Sequence, residues 1–340
     1  MNRIKVSTLS GWPFIRQTPH SLGIWDDCAF FIDKSVSECD WWVVCEGLSK
    51  EDRVICPRKN TILLTFEPES VKQYNQEFLN QFGMVITSQR RLHHNNVIYS
   101  QQGLPWIVGI NNFRDMSVRS TLSRGYDELK DITPEKTKLI SMVISNKKGS
   151  EGHKQRLKFA IAIKKYFGNK IDIFANGFPN NELAGYPLIP FKDKWDAIAP
   201  YRYHVVVENS SFEDYWTEKL ADSYLADSYP FYYGCPNVEE YFSRKSFTAI
   251  DIYKFKEAIM AIENAINENV YLRSSREIKE AKMAILDQYQ LFPMICNLIK
   301  GKAVYGVTPE MITLKPEVRL GFLNRLWNKA KYIYYSALPV

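Results

Sequence analysis

A forty-residue stretch, from Tyr201 to Glu240, constrains the fold of this chain more than any other part of its sequence. It opens with a short apolar, β-branched run, 203–207, which is typical of a strand buried on both faces of a parallel sheet. Polar residues begin abruptly at Glu208, and Asp214 is of the residue type that caps helices. Large apolar residues then recur at intervals of four, as one face of a helix requires: Trp216, Leu220 and Tyr224. Because a second apolar run, 231–233, follows, the stretch predicts a β-α-β unit whose helix is capped by Asp214, and hence an α/β fold.

The residues at the start of the predicted helix indicate a ligand. In a β-α-β unit, ligands bind beyond the carboxyl ends of the strands, where the helix presents free backbone N–H groups and the positive end of its dipole. Tyr215, Glu218 and Lys219 are spaced as i, i+3 and i+4, so they share one face of a helix. A lysine there suits a diphosphate, and the neighbouring carboxylate suits sugar hydroxyls. The spacing therefore predicts a nucleotide-sugar site.

The same stretch resembles the signature of a known family. It reads ENS, then DYWTEKL, then P-x-x-YG-x-PN, and this order is similar to that of the family-10 glycosyltransferases, the α-1,3/4-fucosyltransferases. Three positions depart from the usual form, since Trp216 stands where the family has valine, Val207 replaces an aromatic residue and Asp227 replaces glycine. The resemblance implies the GT-B architecture, in which two Rossmann-like domains face a central cleft.

The resemblance also implies an activity. It predicts an inverting enzyme that transfers L-fucose from GDP-fucose to a hydroxyl of an N-acetylglucosamine-containing glycan such as N-acetyllactosamine, as an α-1,3-fucosyltransferase. We expect the product to belong to surface polysaccharide or lipopolysaccharide synthesis. Two other functions stay open, namely transfer from a different nucleotide sugar and glycan binding without catalysis on the same fold.

By the same resemblance, five residues would contact the donor. Lys219 would meet the diphosphate and Glu218 the ribose, while Tyr215 and Asn209 would contact the phosphates or the donor sugar. Arg156, in the helix after the SNKKGS segment, would bind the diphosphate and offset the charge on the leaving GDP. The alternative interpretation is that Arg156 is an exposed helix residue.

Glu67 is the candidate general base. It comes just after a predicted strand, 61–65, and the resembling family has an aromatic-glutamate pair at the end of a comparable strand. An inverting transfer needs one base, which takes the proton of the acceptor hydroxyl while that oxygen attacks the anomeric carbon. Two alternatives stay open: Glu69 is the base, or Glu67 is a solvated loop residue.

Alternating strands and helices extend over most of the chain. Strands are predicted at 4–7, 40–45, 61–65, 84–88, 139–144 and 171–174, and helices at 71–82, up to 167 around Arg156, 193–199, 255–266 and 276–299. A chain of 340 residues exceeds the usual limit for one hydrophobic core. We therefore predict an N-terminal Rossmann-like acceptor-binding domain at 1–125, a polar linker, a C-terminal Rossmann-like nucleotide-sugar-binding domain at 136–305 and a helical tail at 306–340.

Composition argues against several classes. The net charge of +6 is too small and too diffuse to predict a nucleic-acid partner. The six cysteines show neither metal-ligand spacing nor a disulfide framework. No metal is predicted to be required, although stimulation by Mg²⁺ or Mn²⁺ stays open. The N-terminal residues lack an apolar signal segment, and no run of about 18 apolar residues occurs, which predicts a cytoplasmic protein.

The tail has the pattern of a basic amphipathic helix. Its apolar stripe includes Phe322, Leu326 and Trp327, and Arg325 and Lys329 lie mainly on the other side. Such a helix either lies on the inner face of an anionic membrane or folds back on the N-terminal domain. Both interpretations stay open.

Overall fold

The computed structural model describes residues 1–9, 12–104, 106–109, 124–147, 149, 151–300 and 308–317. These residues form two compact units, each assembled from separate segments of the chain. The first takes the described residues within 1–11, 27–102 and 301–340, and the second takes those within 12–26 and 103–300. The predicted domain boundaries, 1–125, 136–305 and 306–340, stay predictions.

The strands include those that were predicted, with small shifts at their ends, together with further strands that were not predicted. They are β1 (Asn2–Thr8), β2 (Ile24–Trp25), β3 (Cys28–Ile32), β4 (Trp41–Cys45), β5 (Asp52–Cys56), β6 (Thr61–Leu64), β7 (Met84–Thr87), β8 (Val97–Tyr99), β9 (Lys138–Ser145), β10 (Ile171–Asn176), β11 (Glu182–Leu183), β12 (Tyr186–Pro187), β13 (Tyr201–Val207), β14 (Tyr229–Tyr233), β15 (Thr248–Ala249) and β16 (Glu310–Leu314).

Longer helices are concentrated in the second unit. The helices are α1 (Gln76–Leu79), α2 (Tyr126–Asp131), α3 (Glu151–Phe167), α4 (Lys194–Ile198), α5 (Glu218–Leu225), α6 (Phe255–Asn267), α7 (Val270–Arg273), α8 (Ser275–Ala284) and α9 (Leu291–Ile299), with a π-helical turn at Ile285–Tyr289. Single turns of 3₁₀ helix lie at Phe14–Gln17, Pro19–Ser21, Arg58–Asn60, Gly168–Lys170, Pro179–Asn181, Val238–Glu240 and Arg244–Ser246.

The first unit is built on a parallel sheet. Its strands lie in the order β3-β1-β4-β6-β7-β8, and each of these neighbouring pairs is parallel. Trp42, Leu63 and Val85 are fully buried in its core. The strand β16 pairs with β5 in antiparallel orientation and buries Ile312 and Leu314 in the same core.

The second unit has a parallel sheet of its own, in the order β10-β9-β13-β14-β15. The apolar run that was predicted as a strand buried on both faces is β13, at the centre of this sheet, and residues 203–207 are all buried. Helices α3, α4 and α5 pack on these strands. The predicted α/β class and the two parallel, Rossmann-like sheets of the GT-B fold are therefore confirmed.

The helix of the organising stretch begins later than predicted. Asp214 does not cap it, because its backbone has a left-handed φ of +59° and its carboxylate accepts hydrogen bonds from Asn237 Nδ2 at 2.9 Å and Tyr241 Oη at 2.6 Å. Thr217 is the N-cap, and the first helical residue is Glu218. Trp216 therefore precedes the helix instead of starting its apolar face.

Asp227 explains one departure from the family pattern. It follows α5 with a φ of +52°, a conformation that glycine adopts without steric cost and that aspartate tolerates better than most residues. Its carboxylate lies 3.2 Å from Lys282 Nζ on α8. The aspartate thus replaces the freedom of glycine with an ion pair.

The helix predicted at 71–82 is largely wrong, since only α1 is α-helical there. Lys72 and Tyr74 both bind the carboxylate of Glu46, with Lys72 Nζ at 2.9 Å and Tyr74 Oη at 2.7 Å. Residues two apart do not share a face of a helix, so these contacts require a non-helical segment. Asn75 then caps α1 by accepting a hydrogen bond from the backbone N–H of Glu77.

The long helix predicted at 276–299 is divided into α8, the π-helical turn and α9. Pro293 accounts for the break, because it has no N–H for the carbonyl of residue 289 and is tolerated only in the first turn of a new helix. The predicted tail residues Phe322, Arg325, Leu326, Trp327 and Lys329 lie outside the described residues. Within the described part of the chain, no helix has both the length and the apolar character that a membrane crossing requires.

Candidate functional site

A cavity of about 400 Å³ lies at the carboxyl end of the parallel sheet of the second unit. This volume is within the range of small-molecule sites. The lining residues come from β9, β10 and β13, from α3, from the starts of α4 and α5 and from connecting segments: Ile107, Val143, Ile144, Ser145, Asn146, Lys147, Arg156, Asn176, Phe191, Lys194, His204, Val205, Val206, Val207, Asn209, Glu218 and Lys219. Four of the predicted donor residues, Arg156, Asn209, Glu218 and Lys219, are thus brought together.

Glu208 fixes the start of α5 through hydrogen bonds to Thr217 and Lys219. Its carboxylate is fully buried and accepts hydrogen bonds from the Thr217 backbone N–H at 2.9 Å, from Thr217 Oγ1 at 2.8 Å and from Lys219 Nζ at 3.0 Å. Gly234 makes room for it, because a Cβ at that position would collide with the Glu208 side chain. Glu208 therefore has a structural role, fixing both the helix terminus and the lysine of the motif.

Lys219 lies between two carboxylates. Its Nζ is 3.0 Å from Glu208 Oε2 and 3.3 Å from Glu218 Oε1. Burial acts to lower the pKa of Lys219, but the charges of the two glutamates outweigh burial and raise the pKa above its ordinary value. The ammonium is thus charged and is already largely compensated.

Glu218 is held in its ionised form. Burial would raise its pKa, but the ammonium groups of Lys219 and Lys194, together with a hydrogen bond to Thr217, lower the pKa of Glu218 to about 2. Lys194 is itself fixed by Asp222, whose Oδ2 lies 2.6 Å from Lys194 Nζ. A permanently charged carboxylate at this position is a strong acceptor for hydroxyl groups.

Arg156 is a buried residue of the cavity wall, so the alternative of an exposed helix arginine is wrong. Its guanidinium donates to Asn209 Oδ1 at 2.9 Å and to Ser145 Oγ at 2.8 Å. Burial lowers its pKa, and the carboxylates of Glu208 and Glu218 oppose that effect. The Nε atom is buried without a hydrogen-bond partner among the described residues.

The close approach of α3 to β13 places Arg156 beside Asn209. Gly152 lies on the first turn of α3, where a Cβ would collide with the backbone carbonyl of Asn209. With no side chain at Gly152, the helix comes close enough for Arg156, one turn later, to reach the Asn209 side chain.

Two residues of the motif lie outside the cavity lining. Tyr215 is buried and precedes α5, so it does not share a helix turn with Glu218 and Lys219; its predicted contact with phosphate stays a prediction. Trp216 is buried against the rings of Tyr241, Phe242 and Tyr289, at centroid distances of 5.8, 5.1 and 5.8 Å. The departure at Trp216 is thus accommodated by the aromatic core.

Lys194, His204 and Phe191 were not predicted from the sequence. His204 Nδ1 lies 2.8 Å from Ser141 Oγ, and burial, reinforced by Lys194 and Lys136, lowers the pKa of His204 to about 3. Lys194 was hidden because its partner Asp222 is 28 residues away. The only local signal for His204 is a polar ring within an apolar strand.

Phe191 provides a ring on the cavity wall. The side chain of Asn176 binds both of its backbone polar groups, donating to the carbonyl at 2.7 Å and accepting from the N–H at 3.2 Å. The ring also contacts Phe174 edge to face at 6.4 Å. Its position is therefore fixed before any ligand binds.

Glu67 lies in the first unit, three residues after the end of β6, on a loop that also carries Glu69. Its side chain is half-buried, and its backbone carbonyl accepts a hydrogen bond from Gln89 Nε2 at 2.8 Å. Glu69 Oε2 is buried and has no hydrogen-bond partner among the described residues. The structure therefore leaves both carboxylates as candidates for the base.

The cavity combines cations, hydrogen-bond acceptors and an apolar wall. Such a combination suits a ligand with an anionic part and a flat or apolar part. Among the described residues, no group of three or more His, Cys, Asp or Glu side chains is arranged to hold a metal ion.

Part of the chain matches a known protein family. Residues 133–300 match the family model of glycosyltransferase family 10 (fucosyltransferase), C-terminal part. The chain is 29% identical over 137 residues to the alpha-(1,3)-fucosyltransferase FucT of Helicobacter pylori, a match that covers 40% of this chain and 25% of that protein. The matched region thus spans about a quarter of the length of the curated relative.

Two solved structures show similarity to this chain. A crystal structure of an alpha1,3-fucosyltransferase with GDP is 16% identical, with 85% of this chain and 92% of that chain covered and a TM-score of 0.46. The Staphylococcus aureus MnaA–UDP structure is 9% identical, with 89% and 99% covered and a TM-score of 0.44.

The polar residues of the cavity all fall within residues 133–300, the region matched by the family model. This region also contains the ENS, DYWTEKL and P-x-x-YG-x-PN segments on which the resemblance depends. Residues 133–300 therefore carry the C-terminal domain of glycosyltransferase family 10 (fucosyltransferase).

Proposed function

We propose that this protein is an inverting glycosyltransferase that transfers L-fucose from GDP-fucose to a hydroxyl of an N-acetylglucosamine-containing glycan, with N-acetyllactosamine as the test acceptor and an α-1,3 linkage as the expected product. The observation that carries the proposal is the cavity in the family-10 region, where Arg156, Asn209, Glu218 and Lys219 meet. Surface polysaccharide or lipopolysaccharide synthesis is the proposed pathway.

The cations of the cavity suit a diphosphate. Lys147, Arg156 and Lys219 all line it. Because Lys219 is already paired with two glutamates, we assign the main diphosphate contact to Arg156, whose planar guanidinium binds two oxygens at once. Lys219 would then supply a fixed positive field near the leaving group. We expect these cations to neutralise the departing GDP without added metal, and turnover measured with EDTA and with added Mg²⁺ or Mn²⁺ tests this expectation.

The remaining walls suit a nucleoside. Ionised Glu218 can accept hydrogen bonds from ribose hydroxyls, while Asn209 lies at the edge where the diphosphate and the donor sugar would meet. The apolar wall contributed by Ile107, Val143 and Phe191 offers a surface for a nucleobase. These assignments follow from chemistry and position together.

Glu67 is proposed as the general base. It would remove the acceptor hydroxyl proton as that oxygen bonds to the anomeric carbon, while the bond from this carbon to the diphosphate oxygen breaks on the opposite face. GDP leaves and the proton stays on the carboxylate until water accepts it. Positioned proton transfer of this kind contributes about 10²–10⁴ in rate.

Release of GDP from GDP-fucose, with and without N-acetyllactosamine, tests this function. We expect acceptor-dependent release that falls by about 10²–10⁴ in Glu67→Gln and a loss of GDP affinity in Arg156→Gln. Glu69→Gln, on the same loop, tests the alternative base, and Arg202→Gln, at an exposed arginine of β13, is the matched control for Arg156→Gln. Release from another nucleotide sugar only would contradict the assignment of fucose. Glycan binding without release from any donor would contradict catalysis.

A further inference from the structure

Glu46 occupies a strained position at the carboxyl end of β4. Its φ is +68°, in the left-handed region that residues other than glycine seldom adopt. Backbone strain of this kind persists only where surrounding contacts hold it, and it is concentrated at functional sites. The conformation of Glu46 therefore requires an explanation in terms of its contacts.

The carboxylate of Glu46 accepts hydrogen bonds from several residues of one loop. It accepts hydrogen bonds from the backbone N–H of Phe66 at 2.6 Å, from Tyr74 Oη at 2.7 Å and from Lys72 Nζ at 2.9 Å. Lys72 Nζ also donates to the backbone carbonyl of Glu46 at 3.1 Å. All of these donors belong to the segment 66–74, which we call the base loop because it carries Glu67 and Glu69.

Gln89, two residues after the end of β7, holds the base loop. Its Nε2 donates to the backbone carbonyl of Glu67 at 2.8 Å and to that of Lys72 at 3.0 Å. Gln89 is buried, and its own backbone N–H donates to Thr87 Oγ1 at 3.0 Å. The amide is thus fixed on the sheet and binds the loop at two points.

Together these contacts fix the main chain on both sides of Glu67. Glu46 binds the N–H of the preceding residue, and Gln89 binds the carbonyl of Glu67 itself. The Glu67 side chain stays half-exposed. A rigid main chain that presents an accessible carboxylate is what a general base needs, since a displacement of about 1 Å can cost about 10² in rate.

We propose that Glu46 and Gln89 are positioning residues that hold the base loop so that its carboxylate is aligned with the acceptor hydroxyl. The inference rests on the proposed function, because it takes the reaction to need a base on this loop. It holds for Glu67 or for Glu69, since both lie on the loop.

A double-mutant cycle tests the inference. Gln89→Leu removes both amide contacts at nearly constant volume, and Glu46→Gln removes the charge. Each is combined with Glu67→Gln, and kcat, KM for the donor and the unfolding midpoint are measured for the full chain. Tyr74→Phe, which removes one hydrogen bond to Glu46, gives a milder perturbation. Gln155→Leu is the matched control, because it removes a comparable bond at 2.7 Å to the carbonyl of Ile252 in the second unit.

We expect Gln89→Leu and Glu46→Gln to lower kcat by about 10- to 100-fold, with little change in donor KM, and to lower it less than about threefold when Glu67 is already Gln. Equal losses in both backgrounds, or losses matched by Gln155→Leu, would mean that the residues act only on stability and would overturn the inference. An unchanged kcat in Gln89→Leu and Glu46→Gln would also overturn the inference.

The experiments distinguish a wrong donor assignment from a wrong inference about Glu46 and Gln89. If wild-type protein uses another nucleotide sugar, the assignment of fucose fails and the cycle is judged with that donor. If Glu69→Gln, and not Glu67→Gln, abolishes turnover, the cycle is run with Glu69. If neither substitution lowers kcat, the loop carries no base and the inference is wrong.

Discussion

The two units use the same device at the end of a buried parallel strand. Glu208 follows β13 and accepts hydrogen bonds from a backbone N–H, a hydroxyl and a lysine ammonium, all from Thr217 and Lys219. Glu46 follows β4 and accepts the same three kinds of donor, from Phe66, Tyr74 and Lys72. In both units, a glutamate at the carboxyl edge of the sheet fixes the segment that carries the proposed chemistry.

The two clusters differ in range and burial. Partners of Glu208 lie 9 and 11 residues away, whereas those of Glu46 lie 20 to 28 residues away. The Glu208 side chain is 0% exposed, while the Glu46 side chain is 16% exposed. Only Glu46 has a left-handed backbone. The local cluster can therefore be recognised as a motif, and the long-range one cannot.

The difference in burial predicts a difference in stability, and Lys219→Met should show the largest effect. The substitution leaves the Glu208 carboxylate buried with Thr217 as its remaining donor. Removing one partner of a buried ion pair costs about 3–5 kcal/mol, and the partial exposure of Lys219 favours the lower end. Chemical denaturation measures the free energy of unfolding. A loss below that of Lys72→Met would contradict the comparison, and Glu280→Gln, on an exposed helix pair, is the control.

Acid sensitivity should also distinguish the second unit, through His204. Its pKa is about 3 in the folded protein and about 6.5 when unfolded. Between these values the unfolded state binds a proton that the folded state does not, so stability falls as pH falls, by up to about 1.4 kcal/mol per pH unit. We expect His204→Gln to remove about 2 kcal/mol of the decline between pH 6.5 and about 5. If the free energy of unfolding falls with pH equally in the wild type and in His204→Gln, the lowered pKa of His204 is contradicted.

Phe191→Ala should weaken GDP binding without altering the first unit. Stacking of a base on an aromatic ring contributes about 1–3 kcal/mol, which is about five- to a hundredfold in Kd. Calorimetry with GDP and with inorganic pyrophosphate separates base from phosphate, because only GDP should lose affinity. Phe178→Ala, in the same region but outside the cavity lining, is the matched control. Equal losses of affinity for GDP and pyrophosphate would mean that the substitution disturbs the packing of the site and that Phe191 does not stack on the base.

Lys72→Met should give the smallest change in stability. The Lys72 and Glu46 side chains are 26% and 16% exposed, so water partly replaces the lost contact. We expect a loss of about 1 kcal/mol, near the lower end for a hydrogen bond to a charged group. Thermal unfolding measures it, with GDP affinity unchanged. A loss as large as that of Lys219→Met would mean that the two clusters are energetically equivalent.

The sequence by itself determined the parts of the site that depend on short spacing. Spacing predicted that Glu218 and Lys219 lie on one helix turn, and the family resemblance added Arg156 and Asn209. The four residues meet in one cavity because each lies just after a strand or in the first turns of a helix. The alternation of apolar strands with helical segments likewise predicted both parallel sheets, since apolar runs of strand length indicate buried strands.

The tertiary structure decided everything that depends on distant partners. The helix predicted at 71–82 is mostly absent because Glu46 binds two of its residues, and Asp214 binds Asn237 and Tyr241 instead of capping α5. Gln89 and Lys194 carry no local signal, and His204 shows only a polar ring within an apolar strand, because their roles come from neighbours on other strands and helices. Spacing along the chain specifies elements and the residues at their ends, but only packing brings distant side chains within hydrogen-bond distance.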